Sequence, residues 1–153
     1  QVELVARPVT VHAFDLIALR PWPGWLDLDV TVTCSSGTYI RALARDLGTG
    51  LGIGGHLTAL RRTRVGPYPI DQARTISQLE AEFGVLPLAE AAAAAFTVRT
   101  VSSDEAVRLS HGGKLPAAGI AGTYAAFAPD GGLLALLTES GGQAKPIAVF
   151  APA

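Results

Sequence analysis

The 153-residue chain holds a single cysteine, Cys34, so an internal disulfide is excluded. Its three histidines, His12, His56 and His111, are too scattered to give a zinc-ligand spacing with that cysteine, and no metal is expected. Methionine is absent and aromatic residues make up only 7%, yet 49% of residues are apolar, enough for a sizeable core. No apolar run reaches the length of a membrane span, because Gly, Pro or charge interrupts each one, and no signal-peptide pattern opens the chain. A cytoplasmic location is the resulting expectation. The chain also lacks an opening Met, and its abrupt start at Gln1 reads as part of something longer.

Excess charge is lacking too: the net value is −1, which argues against a nonspecific polyanion sponge. The distribution is nevertheless uneven. Arg41, Arg45, Arg61, Arg62, Arg64 and Arg74 face only Asp46 and Asp71 in the middle of the chain, while the tail beyond Ile76 is net acidic. A basic patch inside a neutral protein is the footprint of directed polyanion contact, and arginine binds phosphate bidentately and stacks on bases. Solvated faces produce such clusters as well.

The most informative stretch runs from Leu28 to Gly48. Leu28, Val30, Val32 and Cys34 alternate with Asp29, Thr31 and Thr33, the period of a strand with one apolar face. Ile40, Leu43, Ala44, Leu47 and Leu51 then recur at helical spacing, and Gly48 suits a C-terminal cap. Gly37-Thr38-Tyr39 is therefore a strand-to-helix turn that puts Tyr39 and Arg41 at the mouth of the helix. A cation there is disfavoured by the backbone dipole, which suggests an anionic partner. Arg41 and Arg45, one turn apart, would equally form a solvated face, and spacing alone does not choose.

Upstream, Pro8 to Phe14 is strand-like and Pro21-Trp22-Pro23-Gly24 makes a turn, so two antiparallel strands are expected, with Trp22 and Trp25 packed at the hairpin end. Downstream, Gly48 to Gly55 resembles a phosphate loop only superficially, since it follows a helix and lacks the Gly-Lys-Ser/Thr ending. It leads into an expected strand, His56 to Val65, that places Leu60, Arg62 and Arg64 on one face. Capping boxes at Thr75/Gln78 and Ser102/Glu105 predict short helices, the first through Phe83 and the second closed by Gly112-Gly113. The alanine run Ala91 to Ala95 reads as a helical spacer. Strands are expected over Thr123 to Ala128, Leu133 to Thr138 and Ala144 to Phe150.

Three motifs carry a family resemblance: Gly37-Thr38-Tyr39-Ile40-Arg41, Asp46-Leu47-Gly48, and Gly55-His56-Leu57-Thr58-Ala59-Leu60-Arg61-Arg62. Together with the opening Ala6-Arg7-Pro8-Val9-Thr10-Val11 and with Tyr68-Pro69, they resemble the tRNA pseudouridine synthase B family over about the first 75 residues. The tail resembles the PUA-like RNA-binding domain of that family, on the Gly112-Gly113-Lys114-Leu115 turn and the strand order.

The resemblance implies an α+β fold: residues 1–90 as part of a mixed, mainly antiparallel sheet with helices, then a small PUA-like β-barrel over 91–153. It implies an isomerase without cofactor that flips a uridine from the tRNA T-loop, cleaves its glycosidic bond with a catalytic Asp, turns the uracil and rejoins it through carbon. By the family pattern Arg41 pairs with that Asp, Tyr39 packs on the flipped base and Leu60 contacts it, while Arg61, Arg62, Arg64 and Lys114 are candidates for RNA contact. The motif bearing the Asp is not in this chain, and Asp46 lies about 140° round the helix from Arg41. Asp27 and Asp29 read as edge solubility. The expectation is a synthase portion, inactive alone and monomeric by default. The alternatives are a stand-alone module that binds structured RNA without catalysis, and an α+β protein whose arginines only keep it soluble.

Overall fold

The computed structural model describes residues 8–151; Ala6 and Arg7 of the opening Ala6 to Val11 stretch lie outside the described residues. Contacts divide the chain into two compact units, one ending at Leu60 and one beginning at Arg61. No helix among the described residues is long and apolar enough to cross a membrane.

The first unit opens with an antiparallel hairpin, β1 (Val11–Trp22) and β2 (Trp25–Cys34). The turn is tighter than the sequence suggested, because β1 runs on through Pro21 and leaves only Pro23-Gly24, with Gly24 at φ +87°. Proline is tolerated in a two-stranded sheet because each strand is an edge. Along β2 the expected alternation holds: Leu26, Leu28, Val30 and Val32 oppose Pro21, Leu19, Leu16 and Phe14 on one face. A register shift between Leu16 and Ala18 absorbs Ile17 and keeps those apolar residues together. The face stays open, with Phe14, Leu16, Leu19 and Leu26 each 41–55% exposed. On the other face Trp22 and Trp25 stack across the turn at 6.2 Å between ring centroids, the hairpin-end packing expected of them. Beside them Arg20 grips Asp29 with two hydrogen bonds of 2.8 Å, holding that carboxyl below its ordinary value.

Helix α1 (Ile40–Gly50) follows, with Ile40, Leu43 and Ala44 half-buried, while Leu47 and Leu51, expected on the same stripe, are exposed. Gly48 does not cap it. The helix continues past it, and Gly48 is buried because the returning chain crosses there: a Cβ at Gly48 would overlap backbone atoms of Gly54 and Gly55. Reciprocally, a Cβ on Gly55 would overlap the carbonyl oxygen of Ala44. The glycine is required by close approach, not by a positive φ.

The expected strand over His56 to Val65 is also corrected. Only Arg64–Val65 of this run is paired in a ladder; it forms β3, which meets β4 (Tyr68–Pro69) across Gly66-Pro67. Residues 56–63 have no hydrogen-bonded partner strand among the described residues, and without a ladder the alternation of Leu60, Arg62 and Arg64 does not define one face.

The second unit continues from β3 and β4 into α2 (Ile76–Ala81), whose Thr75/Gln78 capping box forms as predicted. The helix stops short of Phe83, which is 80% exposed and gains nothing by extending it. Helix α3 (Leu88–Ala95) is the alanine spacer, and β5 (Thr97–Thr100) follows. Then come α4 (Ser103–Ser110), β6 (Leu115–Pro116), β7 (Tyr124–Phe127), β8 (Leu133–Ser140) and β9 (Gln143–Val149). The Ser102/Glu105 box starts α4, and Gly112 at φ +74° ends it, with the N–H groups of Gly112 and Gly113 donating to Leu109 and Arg108 carbonyls in a Schellman closure.

The sheet order is β5-β7-β8-β9-β6, mixed because β5 runs parallel to β7, and it supplies the expected PUA-like element. Strand β7 is buried on both sides. Tyr124 and Ala126 pack with Leu109, Leu115 and Leu137, while Ala125 and Phe127 pack with Ala92 of α3. A polar clasp crosses this core. Arg99, its side chain 14% exposed, donates to Glu105 at 3.0 Å, to the Pro116 carbonyl at 2.9 Å and to the Tyr124 hydroxyl at 3.4 Å. Tyr124 in turn donates to Glu139 at 3.0 Å, and Glu139 accepts the N–H groups of Ala118 and Gly119 at 2.7 and 3.0 Å.

Gly48→Ala is expected to destabilise the first unit by about 1–3 kcal/mol through overpacking, whereas Gly50→Ala, with open space around its Cβ, is expected to stabilise it by about 0.5–1 kcal/mol; urea unfolding followed by tryptophan fluorescence reads both. For the second unit, the Ala118 N–H above all, aided by Tyr124, Gly119 and Ile120 against partial burial, holds the Glu139 carboxyl below its ordinary 4.5. The stability this supplies is present above that pH and lost as the pH falls through the lowered value. The melting-temperature gap between the native protein and Glu139→Gln should therefore narrow below about pH 4.5.

Candidate functional site

The site is built on the junction of β2 and α1. Ser35 ends the strand by donating its N–H to the Thr10 carbonyl at 2.8 Å, while its own Oγ accepts the Thr10 N–H at 2.9 Å. Gly37, at φ +81°, lets the chain reverse, as the third position of a type II turn demands. Thr38 closes that turn on the Ser35 carbonyl, weakly through its N–H at 3.4 Å and firmly through its hydroxyl at 2.8 Å. The sequence placed Thr38 in the strand-to-helix turn but gave neither Ser35 nor Thr38 a role of its own. The only signal was the turn chemistry of a Ser-x-Gly-Thr run.

Tyr39 is the N-cap residue of α1, with its carbonyl already accepting from Ala42 and Leu43 and its ring 69% exposed. Arg41, the second residue of the helix, is exposed as well. The first turn contains no acid and the N-cap side chain makes no capping bond, so the helix start carries an unfavourable cation and no local compensation. Among the described residues Arg41 makes no ion pair. The carboxylate nearest in sequence, Asp46, is bonded to Arg45 at 2.8 Å instead. The structure thus brings Tyr39 and Arg41 to one helix mouth with a cation free to meet an anion.

Leu60 lies in the same unit, at the end of the segment that Gly55 seats against α1, and it is 65% exposed. Arg61, Arg62 and Arg64 open the second unit, all exposed. Among the described residues Arg64 alone of the three makes a hydrogen bond, to the Gly66 carbonyl at 2.9 Å. Lys114 is exposed just after the Schellman closure and ahead of β6. It is not brought beside Arg64 by strand pairing, because β3 pairs only with β4 while β6 pairs with β9. The four ion pairs among the described residues join Arg20, Arg45, Arg74 and Arg99 to carboxylates, and none of the candidate cations is in them. No three His, Cys, Asp or Glu side chains among the described residues gather as a metal site.

Comparison with known proteins places the chain in a family. Residues 41–91 match the tRNA pseudouridylate synthase B C-terminal domain, and residues 96–151 match the tRNA pseudouridine synthase II C-terminal family. The chain is 58% identical to a tRNA pseudouridine synthase B of Arthrobacter sp. and 56% identical to that of Thermobifida fusca. These alignments cover 99% and 98% of this chain but 53% of each relative, so the chain spans about half the length of the curated relatives it matches. Among solved structures, a chain of a Cbf5-Nop10-Gar1 complex superposes with a TM-score of 0.77 at 22% identity, over 99% of this chain and 55% of that one. A chain of an H/ACA RNP bound to a substrate RNA containing 2′-deoxyuridine gives 0.74 at 23% identity, over 95% of this chain and 56% of that one. At such identity these structures speak for the fold. With two adjoining C-terminal family domains accounting for residues 41–91 and 96–151, the chain belongs to the C-terminal region of the tRNA pseudouridine synthase B family.

Proposed function

We propose that this chain is the C-terminal portion of a tRNA pseudouridine synthase that isomerises a T-loop uridine, and that Arg41 is its contribution to the reacting centre. The observation that carries the reading is an exposed arginine at a helix N-terminus without a carboxylate partner among the described residues. A cation held there at a cost is explained if an aspartate outside residues 1–153 completes the pair and is kept ionised by it. The reaction breaks the C1′–N1 bond of uridine and joins C1′ to C5; the C5 proton leaves and N1 ends protonated, so no oxidant, metal or cofactor is required. Tyr39 and Leu60 would wall the flipped base and offset a few kcal/mol of unstacking.

Arg61, Arg62, Arg64 and Lys114 would neutralise backbone phosphates, and residues 91–153 would act as the PUA-like RNA-binding domain after a catalytic part ending near residue 90. The open apolar face of β1 and β2 fits the same reading, since a two-stranded sheet is marginal until a further layer covers it. The reading includes a cytoplasmic, monomeric protein whose 153-residue segment is inactive alone.

Arg41→Ala in the full-length protein is expected to lower single-turnover pseudouridine formation by about 100- to 1,000-fold with tRNA affinity kept within a few-fold. Arg41→Glu should raise stability by about 0.3–1 kcal/mol while also abolishing turnover, the signature of a residue kept for function against the helix dipole. Unchanged turnover in Arg41→Ala would refute the assignment. Replacing Arg61 and Arg62 by Ala should instead weaken tRNA binding and reduce the log–log salt slope by roughly 0.7–0.9 for each phosphate no longer neutralised. If Arg41→Ala weakened binding in that same salt-dependent way, with no specific loss of turnover, a binding module without catalysis would be the better reading.

A further inference from the structure

We infer that Thr38 and Ser35 are positioning residues for the reacting centre, setting where α1 begins and hence where Tyr39 and Arg41 stand; this deepens the reading of Arg41 and rests on it. Helix α1 lacks the devices that usually fix a helix start. Its N-cap side chain makes no capping bond, its first turn holds no acid, and Arg41 opposes the dipole. By contrast α2 and α4 in the same chain each carry a complete capping box. The Gly48 crossing holds the far end of α1, so an anchor for its first turn is sought in the turn just upstream.

The structure supplies one anchor there. The Ser35 carbonyl receives the Thr38 hydroxyl at 2.8 Å, while the Thr38 N–H stands off at 3.4 Å, so the hydroxyl is the firmer of the two bonds that close the turn. Ser35 is tied in turn to the start of β1, through its N–H to the Thr10 carbonyl and through its Oγ to the Thr10 N–H. A separation of 3.4 Å joins the Ser35 and Thr38 hydroxyl oxygens as well. Strand, turn and helix are thus linked within four residues of chain, and the last link leads straight into Tyr39.

The geometry makes the link matter. If loss of the anchor lets the sequence slip by one residue along the first turn of α1, each side chain there turns by about 100° and moves about 1.5 Å along the axis. An arginine so displaced would no longer face a carboxylate that it met squarely before. Misplacement by about 1 Å can cost on the order of 100-fold in rate without touching the reactants. Removal of the Thr38 hydroxyl is therefore expected to act on turnover and not on substrate affinity.

Thr38→Val keeps shape and branching and removes the hydroxyl, Thr38→Ser restores it, and Ser35→Ala removes the Oγ acceptor of the Thr10 N–H. In the full-length protein with its tRNA substrate, Thr38→Val should reduce kcat by about 10- to 100-fold with KM and tRNA Kd within about 3-fold. Thr38→Ser should recover to within about 3-fold of the native rate, and Ser35→Ala should fall between them. Circular dichroism at the assay temperature gives the folded fraction of each variant. A rate loss that merely follows that fraction, or no recovery in Thr38→Ser, would overturn the inference. Native turnover in Thr38→Val beside a dead Arg41→Ala would overturn it while leaving the reading of Arg41 intact. Native turnover in both variants would bring down the two together.

Discussion

The first unit depends on a place where no side chain stands. Gly48 is the one fully buried residue of α1, and the chain that leaves the helix comes back across it, backbone on backbone. Its carbonyl accepts the N–H groups of both Ile53 and Gly54 at 3.0 Å, and positive φ angles at Gly52 and Gly54 make the reversal possible. Leu47 and Leu51 remain exposed, so side-chain burial contributes little to holding this return. The point at which residues 57–60 leave α1 is set by main-chain bonds and by the absence of a Cβ. A glycine-rich run that superficially resembled an anion cradle is spent on its own carbonyl oxygen.

How legible a feature was in the sequence depended on how local its chemistry is. Both capping boxes, the Schellman closure at Gly112-Gly113 and the alternation along β2 are settled within a few residues, and all formed where the pattern placed them. Features that need a distant partner were not readable. The alternating run from His56 to Val65 looked like a strand, but a β-ladder requires a neighbour, and only Arg64–Val65 has one. The reverse error hid β5, because Thr-Val-Arg-Thr shows little apolar pattern and its parallel pairing with β7 closes over more than twenty residues. At the site, the helix mouth with Tyr39 and Arg41 was legible from the turn. The hydroxyl that closes the turn was not, since Ser and Thr in a loop read as ordinary polar residues.

One residue type has two fates in this chain. Arg99 is consumed by the fold: nearly buried, it serves a carboxylate, a carbonyl and a phenol, and its loss would strand them. Arg41, Arg61 and Arg62 serve nothing among the described residues. The exposed pairs Arg45–Asp46 and Arg74–Glu82 lie between these limits and are worth about 0–1 kcal/mol each at most. An RNA phosphate approaching Arg61 or Arg62 would displace water alone, with no ion pair to break first. It is the division of arginines into bonded and unbonded, not their number, that separates a structural patch from one available to a polyanion.

The two units also hold themselves together differently. Every fully buried apolar side chain among the described residues lies between Ala92 and Ala144, in the second unit, where both faces of β7 are covered. The first unit has instead a ladder, a main-chain crossing and an open apolar face. A global melt is therefore dominated by the second unit, whereas Tyr39 and Arg41 stand on the first. Damage to the turn before α1 could pass unnoticed in a heat-capacity trace, because the two units need not unfold as one. The chain happens to contain its own local reporter: its two tryptophans, Trp22 and Trp25, both sit at the tip of the hairpin that leads into that turn. Fluorescence follows the unit that carries Tyr39 and Arg41, and calorimetry follows the unit that carries the core. Where the two disagree for a variant, the tryptophans report on the hairpin and the turn before α1, and the heat-capacity trace on the sheet around β7.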